Sequence, residues 1–354
     1  MTGPTILVLT TVHPPDDTRI RERLIRSLEG LGQLTYASRD PGPSDTSGLG
    51  WEPLTGGRLT RNLKAARLLL ARPWNVIVLH DPETIPAGLL ARVLRRSVVV
   101  FDVHEDLPAQ IDSKLWVPVW LKPVMRALAR VLYWLAERGL ELTLAEPGYQ
   151  RLFRRTHPVF ANYPRSSAFP EPKRSGDGSV TYVGDITRAR GIEEALEASA
   201  MVGLDLVAQG RVDPALAESL RARASELGVD LTLTGFVTNP QALLRASLAS
   251  VGLSPLRDEA NYRESLPTKV LEYLAMGLPV VASDLPGTRA ALGDLEAVWL
   301  VPPGDTKAMA SAIGEAVQPE AKLVAFEQAS TIRARFRWPE EDVRSFYAGL
   351  LSGT

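Results

Sequence analysis

Cysteine is absent from the 354 residues of this sequence. Disulfide bonds, zinc sites made of thiolates and a cysteine nucleophile are therefore excluded. An excess of charge of one sign is also absent, since 40 lysines and arginines stand against 41 aspartates and glutamates, and this balance gives no reason to expect nucleic acid as a partner. No apolar run approaches the roughly 18 residues of a membrane span, and the first residues lack the features of a signal peptide. We expect a cytoplasmic protein.

Several motifs of common enzyme classes are missing as well. No G-x-G-x-x-G follows the first predicted strand and no Walker loop occurs, which weakens the dehydrogenase and NTPase hypotheses. No D-x-D motif and no set of His, Asp and Glu has the spacing of a metal site, and the fragment His80-Asp-Pro-Glu83 lies in a loop that contains proline. We therefore predict no bound metal and no resident cofactor.

What the sequence does contain is a recurring order of apolar strand, polar loop and helix without hairpin signals, which predicts doubly wound parallel sheets. Its length exceeds one ordinary core, and the stretch 158–179, rich in Pro, Ser and Gly, is the clearest linker. We predict an α/β fold with two Rossmann-like domains facing across a cleft, 1–163 and 164–337, with a helix at about 338–354 that belongs to the first. The predicted strands lie at 5–10, 75–79, 97–103, 140–145, 180–183, 204–208, 230–234, 249–253, 278–282 and 297–301.

Three of the four histidines occupy polar loops that directly follow predicted strands, at 13–17, 80–83 and 104–106. Ligands of open parallel sheets bind beyond the carboxyl ends of the strands, so we expect these loops to line one cleft. A single histidine at such a place is more often a turn residue, but three at equivalent ends favour a function, above all for His104. The other candidates in these loops are His13, Asp16, Asp17, His80, Asp81 and Glu105.

The stretch 264–284 contains the most informative pattern of the chain. Ser265 is a potential helix cap, and the amides of about 268–270, at the positive end of the helix dipole, can bind an anion. Glu264 precedes this site and Glu272 lies behind it, at most about 12 Å along the helix axis. Such an arrangement suits a nucleotide-sugar, which has hydroxyls at both ends and a diphosphate between them. The alternative is a solvated helix with two surface glutamates.

A glycine turn with two arginines opens the second predicted domain, in the segment Gly184-Asp-Ile-Thr-Arg188-Ala-Arg190. Gly184 allows a ligand or another backbone to approach closely. Arg190, at the start of a predicted helix, is placed to meet a diphosphate, which the fork of a guanidinium fits. The alternative is an exposed basic turn. The second helix N-terminus, with Thr268 and Lys269, favours the phosphate interpretation.

The segment 114–138 combines four aromatic residues with five basic ones and carries an apolar stripe at helical spacing. The stripe consists of Val124, Leu128, Val131, Leu132 and Leu135. Such a segment can lie on an anionic membrane surface. A helix packed on its own sheet shows the same stripe, and we favour this second interpretation.

With these loops in view, the chain resembles the retaining GT-B glycosyltransferases of family four over nearly its whole length. The most specific element is a Glu-x7-Glu pattern, met by Glu264 and Glu272. The ending Phe336-Arg-Trp338 before a helix resembles the family's terminal helix, which crosses back onto the first domain. Three further motifs are similar to a subgroup found in O-antigen and capsule clusters, at 13–20, 80–83 and 101–106.

The resemblance implies roles on the donor side. Glu272 would bind the ribose hydroxyls, Glu264 would hold the hydroxyls of the transferred sugar, and the backbone from Thr268 to Val270 would bind the diphosphate. Ser254 and Pro255 fall in the loop that lines the donor in this family.

The resemblance also implies the residues nearest to the reaction. Arg190 stands where the family often has the lysine that neutralises the leaving group, and Lys269 would assist it. His104 matches the first-domain histidine near the reacting sugar, with the other first-domain loops on the acceptor side.

Three departures from the family pattern bear on these roles. The family's common arginine directly after the first glycine of the second domain is Asp185 here, which places leaving-group stabilisation on Arg190 and Lys269. Ser265-Leu-Pro267 replaces the usual Gly-Phe-Gly, and 13–17 replaces the usual glycine-rich loop, which alters the sugar contacts and the acceptor side.

The expected function is metal-independent transfer of a sugar from a nucleotide-diphosphate donor to an acceptor hydroxyl with retention, in synthesis of a cell-envelope polysaccharide or glycoconjugate. UDP is favoured over GDP by family frequency, and the acceptor is a glycan, a lipid-linked sugar or a small molecule. A lipid-linked acceptor implies peripheral contact with the inner face of the membrane. Two alternatives are a nucleotide-sugar epimerase and a non-catalytic nucleotide-sugar binding module.

Overall fold

The structure is a computed structural model that describes residues 3–43, 45, 46, 48–113, 117–165, 169–260, 262, 263 and 266–353. The chain divides into two compact units, Met1–Asn162 with Trp338–Thr354 and Tyr163–Arg337. The boundary that we expected lies one residue further on, between 163 and 164. Within the described ranges, every helix is too short or too polar to span a lipid bilayer.

Each unit contains one six-stranded sheet in which all neighbouring strands are parallel. The strands are β1 (Thr5–Leu9), β2 (Gln33–Ser38), β3 (Gly50–Pro53), β4 (Val76–Leu79), β5 (Val98–Val103), β6 (Glu141–Leu144), β7 (Val180–Val183), β8 (Leu206–Gln209), β9 (Leu231–Leu233), β10 (Val251–Ser254), β11 (Val280–Ser283) and β12 (Val298–Val301). Their order is β3-β2-β1-β4-β5-β6 in the first unit and β12-β11-β10-β7-β8-β9 in the second.

Helices connect these strands. They are α1 (Arg26–Leu28), α2 (Arg58–Ala71), α3 (Ile85–Arg95), α4 (Leu107–Ser113), α5 (Lys122–Gly139), α6 (Ile192–Met201), α7 (Pro214–Leu227), α8 (Asn239–Ala246), α9 (Thr268–Ala275), α10 (Pro286–Leu292), α11 (Thr306–Ala316), α12 (Pro319–Arg335) and α13 (Glu340–Ser352). A π-helical segment, Thr18–Ile25, precedes α1. Asp17 caps its N-terminus, because the Asp17 carboxylate accepts hydrogen bonds from the amides of Arg19 and Ile20.

The first sheet is buried on both faces, which is why its central strands are continuous apolar runs. On one face α2, α3 and α5 contribute to a core with Leu7, Ile77 and Phe101. The other face packs on the segment 18–28 and on α13, whose Val343 and Tyr347 are buried there with Trp338. Leu9 pairs with Leu79, and Leu79 with Phe101, so β1, β4 and β5 end at the same edge.

The second sheet positions α9 by a close contact between a glycine and a ring. A Cβ at Gly252, in β10, would lie 2.4 Å from the Tyr273 ring, so only glycine lets α9 pack at this depth. The Tyr273 hydroxyl in turn accepts a hydrogen bond from the Val183 amide at 2.7 Å. Helix α9 and the end of β7 are therefore held together by a buried hydrogen bond.

The predicted α/β architecture of two parallel doubly wound sheets is confirmed. Strands β2 and β3 were not predicted. They mix polar and apolar residues, as in Gln33-Leu-Thr-Tyr-Ala-Ser38, so the continuous apolar run that marks the central strands is missing. The helical period of Arg19–Leu31, which ends at Gly32, predicts one helix there. The chain instead forms the π-helical segment and the single turn of α1.

Candidate active site

The N-cap residue of α9 is Pro267, two positions after the Ser265 that we expected to cap the helix. Among the described residues, no side chain accepts a hydrogen bond from the first amides of α9. The Val270 N–H donates to the Pro267 carbonyl at 3.0 Å, which leaves Thr268 and Lys269 as the amides available to an anion. Glu264 and Ser265 lie outside the described residues, so the first glutamate of the predicted pair stays a prediction.

Lys269 is the most unusual residue of the second unit. Its side chain is only 8% exposed, and its ammonium lies 3.8 Å from the centroid of the Tyr182 ring. Among the described residues this Nζ has no hydrogen-bond partner. Burial, and then the nearby charge of Arg190, hold the pKa of Lys269 well below its usual value. A buried cation without a partner is costly and indicates a place for an anionic ligand.

Arg190 and Lys269 converge on Gly184. This glycine follows β7 with φ of +127°, and a Cβ there would lie 3.3 Å from both Arg190 Nη1 and Lys269 Nζ. Burial lowers the pKa of Arg190, but the phenol groups of Tyr182 and Tyr262 outweigh it and raise that pKa above its usual value. The positive charge of Arg190 is thus retained beside Gly184.

A second glycine brings the loop of Arg190 against the end of β10. Gly191 has φ of +72°, and a Cβ there would lie 1.8 Å from the carbonyl oxygen of Pro255. Ser254 and Pro255 therefore lie next to the turn that carries Arg190. By contrast Arg188, predicted to bind donor, is exposed and pairs with Glu193 at 2.9 Å, so the structure does not bring it into this cluster.

Within the part of the chain that the structure describes, buried polar atoms without hydrogen-bond partners lie at the carboxyl ends of three strands. They are Ser254 Oγ at the end of β10, Ser283 Oγ at the end of β11 and Gln209 Oε1 at the end of β8. Ser283 and Gln209 were not predicted as site residues. The available signal was a polar residue that closes an otherwise apolar strand at the edge where ligands bind.

Glu272 lies in the second turn of α9 and is 6% exposed. Asn239, at the start of α8, donates from Nδ2 to its Oε1 at 3.4 Å. The alternative of a solvated helix with a surface glutamate is therefore wrong for Glu272. A buried carboxylate beside an uncapped helix N-terminus is suited to accept ligand hydroxyl groups.

In the first unit, Asp102 organises the loops after β4 and β5. Arg19 donates to both of its oxygens, at 3.0 Å from Nε and 2.9 Å from Nη2, and Thr143 donates at 2.8 Å. Burial opposes ionisation of Asp102, but the charges of Arg19 and His104 outweigh it and hold its pKa well below the usual value. The carboxylate is therefore ionised and accepts from every neighbour.

His104 approaches this carboxylate through Nε2, which lies 2.7 Å from Asp102 Oδ2 and 3.0 Å from Nδ1 of His80. Because an ionised carboxylate only accepts, the proton of His104 is assigned to Nε2 and its Nδ1 is left as a hydrogen-bond acceptor. Burial and the adjacent His104 lower the pKa of His80 well below its usual value, so His80 is neutral. Two of the predicted histidines thus form one pair, in which His80 is buried and His104 is half-buried.

His13 joins the same edge of the sheet. Its ring lies 5.2 Å from the ring of His104, and its nitrogens lie 3.5 Å from Asp17 and 3.7 Å from Asp81. Asp81 is buried and accepts the Thr11 amide at 2.6 Å. Asp16 and Glu105, also predicted here, are exposed.

Residues 177–318 match a family described as glycosyl transferases group 1. The matched residues lie within the second unit. A curated relative, the alpha-D-kanosaminyltransferase of Streptomyces kanamyceticus, is 31% identical over 141 residues, which cover 38% of this chain. The chain matches only 35% of the length of that relative.

Solved structures match the fold of this chain over nearly its whole length. Sucrose-phosphate synthase of Thermosynechococcus elongatus superposes with a TM-score of 0.77 at 17% identity, covering 99% of this chain and all of the other. HepE of Anabaena, in complex with UDP-glucose, superposes with a TM-score of 0.74 at 14% identity and with the same coverage of both chains. A glycosyltransferase of Rickettsia africae gives 0.73 at 12% identity, with both chains covered completely. The chain therefore has the GT-B fold.

A metal ion does not fit the histidine pair of the first unit. Among the described residues, His80, Asp102 and His104 have ligand atoms within 4.8 Å of one another, which is the composition of a metal site. Arg19 Nε, however, lies 3.0 Å from Asp102 Oδ2 and 3.2 Å from His104 Nε2. This permanent positive charge lies beside two of the three groups that would bind the metal, and it repels a cation.

Glu146 is a candidate that the motifs did not reveal. It follows β6 by two residues, at the same edge as the loops of His80 and His104, and burial raises its pKa to about 7, partly offset by Arg19. A carboxyl group that titrates near neutral pH is suited to donate or accept a proton. No residue spacing marks it, since its pKa depends on burial alone.

Proposed function

We propose that this protein transfers a sugar from a nucleotide-diphosphate donor to an acceptor hydroxyl, with retention of the anomeric configuration. The observation that carries the proposal is the buried ammonium of Lys269, which has no partner among the described residues and shares the space at Gly184 with Arg190. Two basic side chains that converge beside a helix N-terminus suit a diphosphate. The group 1 match of the surrounding residues supports the same ligand.

The donor site follows from the residues of the second unit. The amides of Thr268 and Lys269 bind the diphosphate, and Glu272 accepts the ribose hydroxyls. Arg190 and the Lys269 side chain stabilise the charge that develops on the departing diphosphate, which fixed cations achieve without a metal. Glu264 holds the transferred sugar in this proposal.

The acceptor side is assigned to the first unit, with His104 nearest to the reacting sugar. Its Nδ1, left as an acceptor by the bond from Nε2 to Asp102, can accept a hydroxyl proton in a hydrogen bond. No covalent nucleophile is proposed, since the departing phosphate assists deprotonation of the acceptor on the same face. The acceptor is a glycan, a lipid-linked sugar or a small molecule, in envelope polysaccharide or glycoconjugate synthesis.

UDP is the proposed nucleotide, with GDP next, and the complexes of HepE with UDP and with UDP-glucose support this order by fold similarity. A panel of nucleotide-sugars tested by thermal unfolding identifies the donor, since a ligand bound only by the folded state raises Tm. We expect a uridine nucleotide-sugar to give the largest shift. A panel without any shift contradicts the proposal.

The catalytic part of the proposal is tested with the donor that the panel selects. Arg190→Ala is expected to lower donor turnover by roughly 100-fold, because it removes a charge aimed at the leaving group. Arg223→Ala, which breaks only a surface pair with Glu197 and Glu226, is the control and is expected to retain activity. In an incubation without acceptor, a transferase yields at most slow hydrolysis of the donor, whereas isomerised donor would identify an epimerase. Stabilisation by the donor without turnover under any acceptor would identify a binding module.

A further inference from the structure

Three neighbouring helices of the first unit turn large apolar side chains to the solvent. Helices α2, α3 and α5 pack on the same face of the sheet, and they bury mainly small or aromatic residues such as Ala129, Tyr133 and Ala136 of α5. We expected the apolar stripe of α5 to pack on the sheet, and this expectation was wrong for four of its five residues. Val124, Leu128, Val131 and Leu135 are exposed. Leu132 is partly buried and packs against the core, as expected.

The exposed apolar residues extend beyond α5. Leu59 of α2 is 82% exposed and Val93 of α3 is 75% exposed, and the turn before α5 adds Val119 and Trp120 at 81% and 77%. We call the outward side chains of α2, α3, α5 and this turn the apolar–basic face. Most of the exposed large apolar side chains of the described residues belong to it. Single apolar residues on a surface are ordinary, whereas a set spread over three adjacent helices marks an interaction site.

The charge of this face is strongly one-sided. Helices α2, α3 and α5 contain ten lysines and arginines and a single acidic residue. That residue, Glu137, is buried and accepts the amides of Arg154 and Arg155. The whole chain has a formal charge of −1, so positive charge is concentrated here rather than being general.

Aromatic and arginine side chains border the face on one flank of α5. Arg138 lies 4.3 Å from the centroid of the Trp134 ring. A cavity of about 540 Å³ beside this helix is lined by Trp134 together with Arg126, Arg130, Arg151 and Arg154. Tryptophan and arginine side by side are typical of the zone where lipid headgroups meet the hydrocarbon.

A second copy of the chain is a poor occupant for this face. Symmetric pairing would place the same patch against itself, so that arginines would oppose arginines. We infer that the apolar–basic face docks on a bilayer that contains anionic lipids, with its apolar residues entering the headgroup layer and its basic residues binding lipid phosphates. The inference rests on the first unit alone and does not depend on the donor chemistry proposed for the second.

Co-sedimentation of the full-length protein with vesicles tests this inference. We expect binding to vesicles made of equal parts phosphatidylcholine and phosphatidylglycerol, weak binding to phosphatidylcholine alone, and loss of binding as salt increases. The double variant Trp120→Ser, Leu128→Ser is expected to bind at least about tenfold less well, because it removes apolar groups that would leave water. Leu244→Ser, at an equally exposed residue of the second unit, is the matched control.

A charge variant distinguishes docking on anionic lipids from non-specific adsorption to vesicles. Arg130→Glu on α5 is expected to reduce binding to the anionic vesicles by roughly tenfold, whereas Arg221→Glu on α7 is expected to change it little. Unchanged thermal unfolding and an unchanged donor-induced Tm shift show that each variant is folded. The inference is overturned if the wild type fails to bind the anionic vesicles or if the face variants bind as well as the controls. It is also overturned if Leu128→Ser abolishes a dimer in sedimentation equilibrium without affecting vesicle binding.

Discussion

At the scale of single residues, the second unit places a positive charge where an apolar side chain would be more stable. Lys269 is buried against Tyr182, next to Arg190, and its ammonium has no hydrogen-bond partner among the described residues. Two sequence patterns favoured phosphate binding, the glycine turn at Gly184 and the start of α9. In the structure the two patterns meet at Lys269. Neither pattern showed that the lysine would be so completely enclosed, because burial is decided by packing partners far away in the sequence.

Lys269→Met is expected to raise the free energy of unfolding of the ligand-free protein by about 1–3 kcal/mol, because it replaces a buried unpaired charge by an apolar group of similar length. The same variant is expected to lose the Tm shift produced by the nucleotide-sugar. Urea denaturation without ligand and thermal unfolding with ligand measure the two effects. Lys307→Met, on the exposed side of α11, should change neither, and a destabilised Lys269→Met protein would contradict the interpretation.

Glu146 gives a prediction with a defined pH interval. Its pKa is about 7 in the folded protein, against an ordinary value of 4.5 for a glutamate in water. The folded protein therefore keeps a proton that the unfolded chain has released, so this residue makes the free energy of unfolding fall as pH rises from 4.5 to about 7. Glu146→Gln is expected to remove that loss and to gain about 1–3 kcal/mol relative to wild type between about pH 5 and about pH 8. Chemical denaturation at both pH values measures the difference, with Glu141→Gln as control. An equal difference at both pH values would show that the carboxyl titrates normally.

At the scale of elements, the site of the second unit depends on turns that only glycine can form. Gly191 has a left-handed backbone, and the carbonyl oxygen of Pro255 lies where a Cβ would be, so the turn that carries Arg190 packs directly on Pro255. The sequence analysis identified Gly184 as the position of close approach but did not single out Gly191. Both glycines follow a strand and precede a helix. The pattern alone therefore could not distinguish Gly184, beside which Arg190 and Lys269 converge, from Gly191, which contacts the loop of Pro255.

Gly191→Ala is expected to lower the free energy of unfolding by at least about 2 kcal/mol, since left-handed strain adds to displacement of the Pro255 backbone. Gly203→Ala provides the comparison, because Gly203 has φ of +67° but nothing within 4 Å of its Cβ position. It should cost about 1 kcal/mol, the strain alone. Urea denaturation of both variants measures the costs. Equal losses would show that the contact with Pro255 relaxes freely.

The strands and helices show which parts of the fold follow from local sequence. Continuous apolar runs correctly predicted the central strands, since these are buried on both faces. The edge strands β2 and β3 lack such runs and were not found. Helix α5 was predicted as a helix, but its apolar stripe was assigned to the core. Helical spacing identifies a stripe without saying which side faces inward, and in α5 the inward side is made of alanine and tyrosine.

At the scale of the whole molecule, residues that come last in the chain complete the core of the first unit. Trp338 is 2% exposed, packs 5.5 Å from the Arg19 guanidinium and donates from Nε1 to Ser27 at 2.9 Å. Tyr347 of α13 is buried in the same core. The resemblance implied a terminal helix associated with the first domain, and the motif 336–338 was its signal. The contacts that hold it could not be read from the sequence, since they join residues more than 300 positions apart.

Trp338→Ala is expected to lower the free energy of unfolding of the first unit by about 3–5 kcal/mol, because it removes a buried ring and leaves a cavity beside β1. The second unit has a separate core and should keep its nucleotide-induced Tm shift. Trp338→Phe should recover part of the loss. Differential scanning calorimetry with and without nucleotide distinguishes the two units. Loss of the nucleotide-induced shift together with the stability would contradict the separation.

The position of Trp338 also has a consequence for biosynthesis. A chain leaves the ribosome from its amino end, so the sheet of the first unit emerges early and must wait for α13 before its second face can be covered. During that interval Ile6, Val8 and Val78 have no partner from the carboxyl end, while the whole of the second unit is translated. Nascent chains halted before residue 338 should therefore attract chaperones through the amino-terminal sheet even after the later unit has folded.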